Sequence, residues 1–156
     1  MARNLNFLFA ILVFVGIVSF ALLSRRCSVP VVPVCFERTR TLDDARVRSE
    51  ETGLPVLVFV TADWCEGCKT LREGALNTSR VTDWIADNTV PVYLDVSRDA
   101  TGDVETRAAM TRLNVAAPPV IILLQRGREI GRVEGAPGSR ELVDRLKKIA
   151  ATTPPP

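Results

Sequence analysis

Residues 55–76 read PVLVFVTADWCEGCKTLREGAL, and the order of residue types in that stretch decides the fold. Its first part, PVLVFVTA over 55–62, is a β-branched apolar run of strand length, as expected of a strand buried on both faces. From Cys65 to about Leu76 the composition is helical, apart from Gly67 and Gly74. A strand feeding directly into a helix puts the junction beside unpaired backbone N–H groups and the positive end of the helix dipole. At that junction lies Asp63-Trp64-Cys65-Glu66-Gly67-Cys68-Lys69.

The flanks repeat the alternation. TLDDARVRSEETG (41–53) opens on Thr41 as N-cap with Asp44 three residues on, and stops at Gly53. SRVTDWIADN (79–88) is helical, VPVYLDV (90–96) a strand, and GDVETRAAMTRLN (102–114) a helix. PVIILLQRGREIGRVEG (119–135) is two strands around an Arg-Gly turn. In SRELVDRLKKIA (139–150), Leu142, Val143, Leu146 and Ile149 share one face of a closing amphipathic helix. Strands alternating with helices, then a hairpin and a last helix, predict an α/β fold: a central mixed β-sheet flanked by helices.

The N-terminal side differs. Residues 7–23, FLFAILVFVGIVSFALL, are 17 uncharged residues, or about 25 Å of helix, against a hydrocarbon core about 30 Å thick. Residues 1–24 are read as a transmembrane helix anchoring the chain in a bacterial-type cytoplasmic membrane, single-pass, with a cleaved signal sequence as the alternative. Residues 25–40 form a proline-containing tether expected to end in a first strand, 41–150 the folded domain, and 151–156 a disordered tail. Arg3 precedes the apolar segment whereas Arg25, Arg26, Arg38 and Arg40 follow it, so the positive-inside count taken literally puts the domain in the cytoplasm.

Net charge is +2 and no basic stripe carries interleaved aromatics, which argues against nucleic-acid binding. The chain has no histidine, which excludes Ser–His and Cys–His catalysis and His-ligated metals. The four cysteines are Cys27, Cys35, Cys65 and Cys68, too few for a fold built on disulfides. The pair 65/68 has three readings: a redox centre, half of a metal site, or chance. A zinc site needs a second pair, and Cys27 and Cys35, with seven residues between them, match knuckle spacing poorly. A thiolate copper carrier is weakened by the lack of histidine and by only two methionines. As a redox centre, Cys65 at a helix N-terminus favours the nucleophilic thiolate. Cys68, one turn on, can then attack a mixed disulfide formed on Cys65. Lys69 supports a thiolate; Asp63 and Glu66 oppose it. Trp64 reads either as a lid over the thiols or as ordinary packing.

TADWCEGCK, VPVYLDV and LNVAAPPVIILLQRGREIGRVEGAPGSRELVDRL together resemble the thioredoxin superfamily over about residues 40–150. ADWCEGCK and LDVSRDATGDVETRAAMTRLNV look most like the C-terminal domain of the bacterial thiol:disulfide interchange protein DsbD. That resemblance implies a thioredoxin fold and a thiol:disulfide oxidoreductase without cofactor or metal, Cys65 attacking and Cys68 resolving. It matches Pro119 to the family's cis-proline, which pairs with substrate, and it fits Gly127 to the hairpin turn and Gly135 to the position after the last strand. It implies protein disulfide or dithiol substrates, a membrane redox partner, lipid contact through residues 7–23, and an extracytoplasmic domain, against the arginine count. Cys27 and Cys35 then read as an accessory disulfide, as acceptors of electrons from that partner, or as two unrelated thiols. The sequence departs from the family in three places: Phe59 stands where a buried acid often lies six residues before the first cysteine, Pro118 precedes the cis-proline, and Gly67 replaces a helix-favouring proline, implying a less rigid turn. A client-binding module without turnover and a thiolate metal carrier are the competing functions.

Overall fold

The computed structural model describes residues 32–36, 41–97 and 104–152. The helices are α1 (Leu42–Thr52), α2 (Glu66–Glu73), α3 (Ser79–Asn88), α4 (Val104–Arg112) and α5 (Ser139–Ala151). The strands are β1 (Val56–Thr61), β2 (Val90–Asp95), β3 (Val120–Gln125) and β4 (Arg128–Glu134). They form one mixed sheet in the order β2-β1-β3-β4. β1 runs parallel to β2 and antiparallel to β3, and β4 is antiparallel to β3. The parallel pair needs a crossover, and α2 and α3 supply it.

β1 is buried along its whole length, as its unbroken apolar run predicts. Side chains alternate across the sheet, so Leu57 and Phe59 join Ile121, Leu123 and Val133 under α2, α3 and α5, with Leu142, Val143 and Leu146 closing that layer. Val56, Val58 and Val60 join Val92, Val120 and Ile122 on the other face, against Ala45 of α1 and Leu113 after α4. The α5 face read from periodicity is the one that packs.

The local signals act as expected at α1. Asp44 N–H donates to Thr41 Oγ1 at 3.1 Å and Thr41 N–H to Asp44 Oδ2 at 3.2 Å, a reciprocal capping box. Gly53 closes the helix at φ 74°. The β3–β4 turn places Arg126 and Gly127 at φ 50° and 74°, the two positive values that a two-residue hairpin loop needs.

Two expectations are corrected. The helix from Cys65 ends at Glu73 instead of reaching Leu76, and Ala75–Asn77 form a separate 3-10 turn. The reason is Gly74, at φ −97° and ψ −99°, where a Cβ would lie 2.8 Å from the Thr70 carbonyl oxygen. Residues 32–36 are not a strand: Phe36 N–H donates to Pro33 O at 2.9 Å, closing a turn that drops the Phe36 ring into the core, while 37–40, the end of the tether, lie outside the described residues. At the other end α5 runs one residue further than expected, to Ala151. No helix among the described residues is long and apolar enough to cross a membrane; residues 7–23, and the tail from 153, lie outside the described residues.

α5 packs on β4 where Gly131 sits. A Cβ there would lie 2.7 Å from Ile149 Cγ2, and a β-branched side chain has little rotamer freedom to yield. Gly131→Ala in the full chain is expected to cost about 1–3 kcal/mol, read as a lower urea midpoint with unchanged slope; an unchanged midpoint would show that α5 does not press on β4 this way.

Candidate active site

β1 ends at Thr61, and a tight turn, Cys65 N–H to Ala62 O at 3.3 Å, redirects the chain into α2. Cys65 is the N-cap of α2 with an extended backbone, φ −97° and ψ 104°. Its sulfur occupies the place that a serine or aspartate oxygen takes in an ordinary cap: Cys68 N–H donates to Cys65 Sγ at 3.1 Å. Cys65 and Cys68 are joined by a disulfide, their Cα atoms 5.2 Å apart. Cys65 is 7% exposed and Cys68 0%, so the first cysteine is the less buried of the two. This asymmetry suits one attacking and one resolving sulfur.

The other sequence-derived residues surround the pair unequally. The Pro118–Pro119 bond is cis, and a Cβ on Gly67 would meet Pro119 Cδ at 3.2 Å. Gly67 therefore lets the proline ring lie close over the first turn of α2, a reason for glycine that sequence reading missed. Pro119 O accepts from Gly135 N–H at 3.1 Å, with Gly135 at φ 80°, which ties the proline to the end of β4. Pro118 is half-buried and has no N–H. Trp64 is 64% exposed, so it is not a packing residue. Asp63, Glu66 and Lys69 are exposed.

Asp63 contributes its backbone. Asp63 N–H donates to Ser97 Oγ at 2.7 Å, while Ser97 N–H donates to Asp95 Oδ1 at 2.9 Å and the Ser97 hydroxyl donates to the same oxygen. The end of β2 thus holds the Trp64–Cys65 turn through a serine and a carboxylate. Neither was singled out from sequence; Asp-x-Ser after a strand, a local side-chain turn, was the available signal.

Behind the pair, Phe59 is fully buried and its ring meets Phe36 and Tyr93 at centroid distances of 5.9 and 5.6 Å. Burial raises the Tyr93 hydroxyl above its ordinary value, while nearby Arg72 pulls the other way. Arg72 Nη1 donates to Thr61 Oγ1 at 2.8 Å. Cys35 is a free thiol beside this apolar layer, and burial pushes it from 9.0 up to about 11 against the lowering effect of a backbone hydrogen bond. Cys27 lies outside the described residues. Among the described residues no group of three or more His, Cys, Asp and Glu could hold a metal.

Residues 42–150 match the family model of the thioredoxin-like domain. The chain is 35% identical over 106 residues to the thiol:disulfide interchange protein DsbD of Cronobacter sakazakii, covering 65% of this chain and 18% of that protein. It is 33% identical over 95 residues to DsbD of Campylobacter jejuni, covering 61% and 16%. The chain therefore spans less than a fifth of the length of these curated relatives. The fold is shared with the oxidised C-terminal domain of Neisseria meningitidis DsbD, at TM-score 0.61 and 19% identity over 68% of this chain and 90% of that one. A thioredoxin from Thermus thermophilus gives TM-score 0.62 at 18% identity, over 76% and 88%.

Ser97→Ala removes the acceptor of Asp63 N–H. It is expected to cost about 1 kcal/mol, or roughly fivefold in the rate at which Cys65 exchanges with a small disulfide, with Ser97→Thr near wild type; equal rates in all three would remove Ser97 from the site. For Cys35, an unfolded thiol titrates near 9.0 and the folded one near 11. Its contribution to stability is thus present below about pH 9 and lost toward pH 11. Peptide mapping after alkylation at neutral pH should find Cys35 about a hundredfold slower than an exposed cysteine; equal labelling would contradict its burial.

Proposed function

The chain belongs to the thioredoxin-like domain family, and from that premise we propose that it is a thiol:disulfide oxidoreductase that exchanges disulfides with proteins of the bacterial envelope through Cys65 and Cys68. The observation that carries this reading is the N-cap geometry: a sulfur that accepts a helix N–H, belongs to the less buried of the two cysteines, and forms a disulfide to a fully buried partner one turn on.

Residues 7–23 anchor the domain in the cytoplasmic membrane in this reading, with the domain on the extracytoplasmic side, where the tether gives it reach to clients and to a membrane redox partner. The apolar segment and the similarity to DsbD support this placement.

In the reducing direction the Cys65 thiolate attacks a client disulfide; a Cys65–client bond forms, the client S–S bond breaks, and one client sulfur leaves as thiolate and takes a proton from solvent. Cys68 then gives its proton to water and attacks Cys65 Sγ. The Cys65–Cys68 bond forms, the client bond breaks, and the second client sulfur leaves with the electron pair and is protonated by solvent. Two electrons and two protons have passed to the client, and a dithiol protein returns the pair to the reduced state. The helix N-terminus and the Cys68 N–H stabilise charge on Cys65. Trp64 offers the client an exposed apolar face, and the Pro118–Pro119 edge offers the Pro118 carbonyl oxygen. Because Pro118 has no N–H, client backbone can donate there but not accept.

The full chain in detergent should reduce insulin in the presence of dithiothreitol. Cys65→Ser should abolish this, and Cys68→Ser should instead accumulate a mixed disulfide on Cys65. Reduction that persists in the double variant would overturn the proposal, and a client that binds unchanged to the double variant would favour a binding module.

A further inference from the structure

Arg72 lies four residues after Cys68 in α2, one turn on along the same helix face, where Cβ atoms are about 5–6 Å apart. Its guanidinium is held across to the sheet by the 2.8 Å bond to Thr61 Oγ1. Thr61 is fully buried and is the last residue of β1, four before Cys65. The ion pairs among the described residues join Arg46 to Glu50, Arg48 to Glu51, Arg132 to Glu129 and Arg145 to Glu141; Arg72 makes none among these residues. A half-buried cation is therefore tethered to the end of β1, one helical turn past Cys68, outside the ion pairs of the described residues.

The groups around Cys68 leave this charge little competition. The cluster that contains both cysteines is otherwise apolar, with Val60, Ala62, Val96 and Val120 among its members. From β1, Phe59 brings an aromatic ring and no proton acceptor. From β2 come the buried Tyr93 hydroxyl, which lies beside Arg72 and Thr61, and the exposed carboxylate of Asp95, whose Oδ1 accepts from Ser97. Asp63, Glu66 and Lys69 are exposed, and solvent screens them. Cys68 is fully buried, and taking a thiol out of water disfavours its thiolate. The resolving step nevertheless needs that thiolate.

We propose that Arg72 is the positioning residue of the resolving step, its tethered guanidinium supplying the fixed positive charge that allows buried Cys68 to ionise and attack Cys65 Sγ. This rests on the oxidoreductase reading. The proton lost by Cys68 goes to water, and the electron pair of the broken bond leaves on the client sulfur, so Arg72 neither gains nor loses a proton. At pH values where Cys68 is ionised, the cation also favours the reduced form of the pair over the disulfide and raises its reduction potential.

The test uses the full chain as wild type, Arg72→Lys and Arg72→Met, with two measurements: the pH profile of mixed-disulfide resolution and the redox equilibrium against glutathione. An opposite charge at this range moves a titration by about one unit or more. Arg72→Met should therefore resolve about tenfold more slowly at neutral pH and recover as pH rises, and its redox equilibrium should shift toward the disulfide, by up to about tenfold or about 30 mV, only at pH values where Cys68 ionises. Arg72→Lys should stay near wild type, since it keeps the charge. Unchanged profile and equilibrium in Arg72→Met would overturn the proposal, as would Arg72→Lys being equally impaired, which would mark a purely structural role. If Arg72→Met does not fold, Arg72→Gln gives the same comparison. Absence of exchange in wild type itself would strike the oxidoreductase reading; wild-type activity with an inert Arg72 would strike this inference alone.

Discussion

Everything about the site depends on where β1 stops. Both faces of the strand are covered, by Leu57 and Phe59 on one side and Val56, Val58 and Val60 on the other, so its register cannot slip by a residue without exposing one apolar set and mispacking the other. With the register fixed, the turn at Ala62 delivers Cys65 to the N-cap of α2 and no other residue to that place. The cap then does two things with one atom: it satisfies the Cys68 N–H and holds the sulfur where helix N–H groups favour negative charge.

The two neighbours of β1 complete what the strand begins. β2 ends in Asp95 and reaches the turn through Ser97 and the Asp63 N–H. β3 begins just after cis-Pro119, whose ring closes on Gly67 and whose carbonyl is held by Gly135. The cysteine turn is thus gripped by the sheet on both sides while Trp64 stays in solvent. Rigid backbone around one accessible sulfur suits exchange chemistry, where the attacking and leaving sulfurs must line up.

Much of this was legible because it is local. The β1 run, the Thr41–Asp44 box, the Arg-Gly hairpin turn and the α5 face are patterns within a few residues, and each formed as read. The helix over-run to Leu76 came from treating Gly74 as a tolerated helical glycine, when its backbone lies where only glycine fits beside Thr70. The turn at 33–36 was hidden because an apolar–proline alternation reads the same whether its aromatic residue starts a strand or plugs a core. The cysteine pair and the cis-proline were visible through spacing and resemblance. Thr61 and Arg72 were not, because they pair across 11 residues and nothing within their own segments marks them; Ser97 carried the local Asp-x-Ser signal, but its partner Asp63 is 34 residues away. Gly67 was noticed as a departure, but its contact with Pro119 is a tertiary fact that no helical pattern contains.

The central claim is that one two-electron couple, located on Cys65 and Cys68, is what this chain works with. Equilibrating the full chain in a series of glutathione redox buffers, alkylating it with a mass tag and mapping the tagged peptides tests this directly. The account predicts a single transition in which Cys65 and Cys68 gain and lose the tag together, unchanged when Cys35 is replaced by serine. A transition that maps to Cys27 or Cys35, or a pair that stays reduced across the whole series, would contradict it.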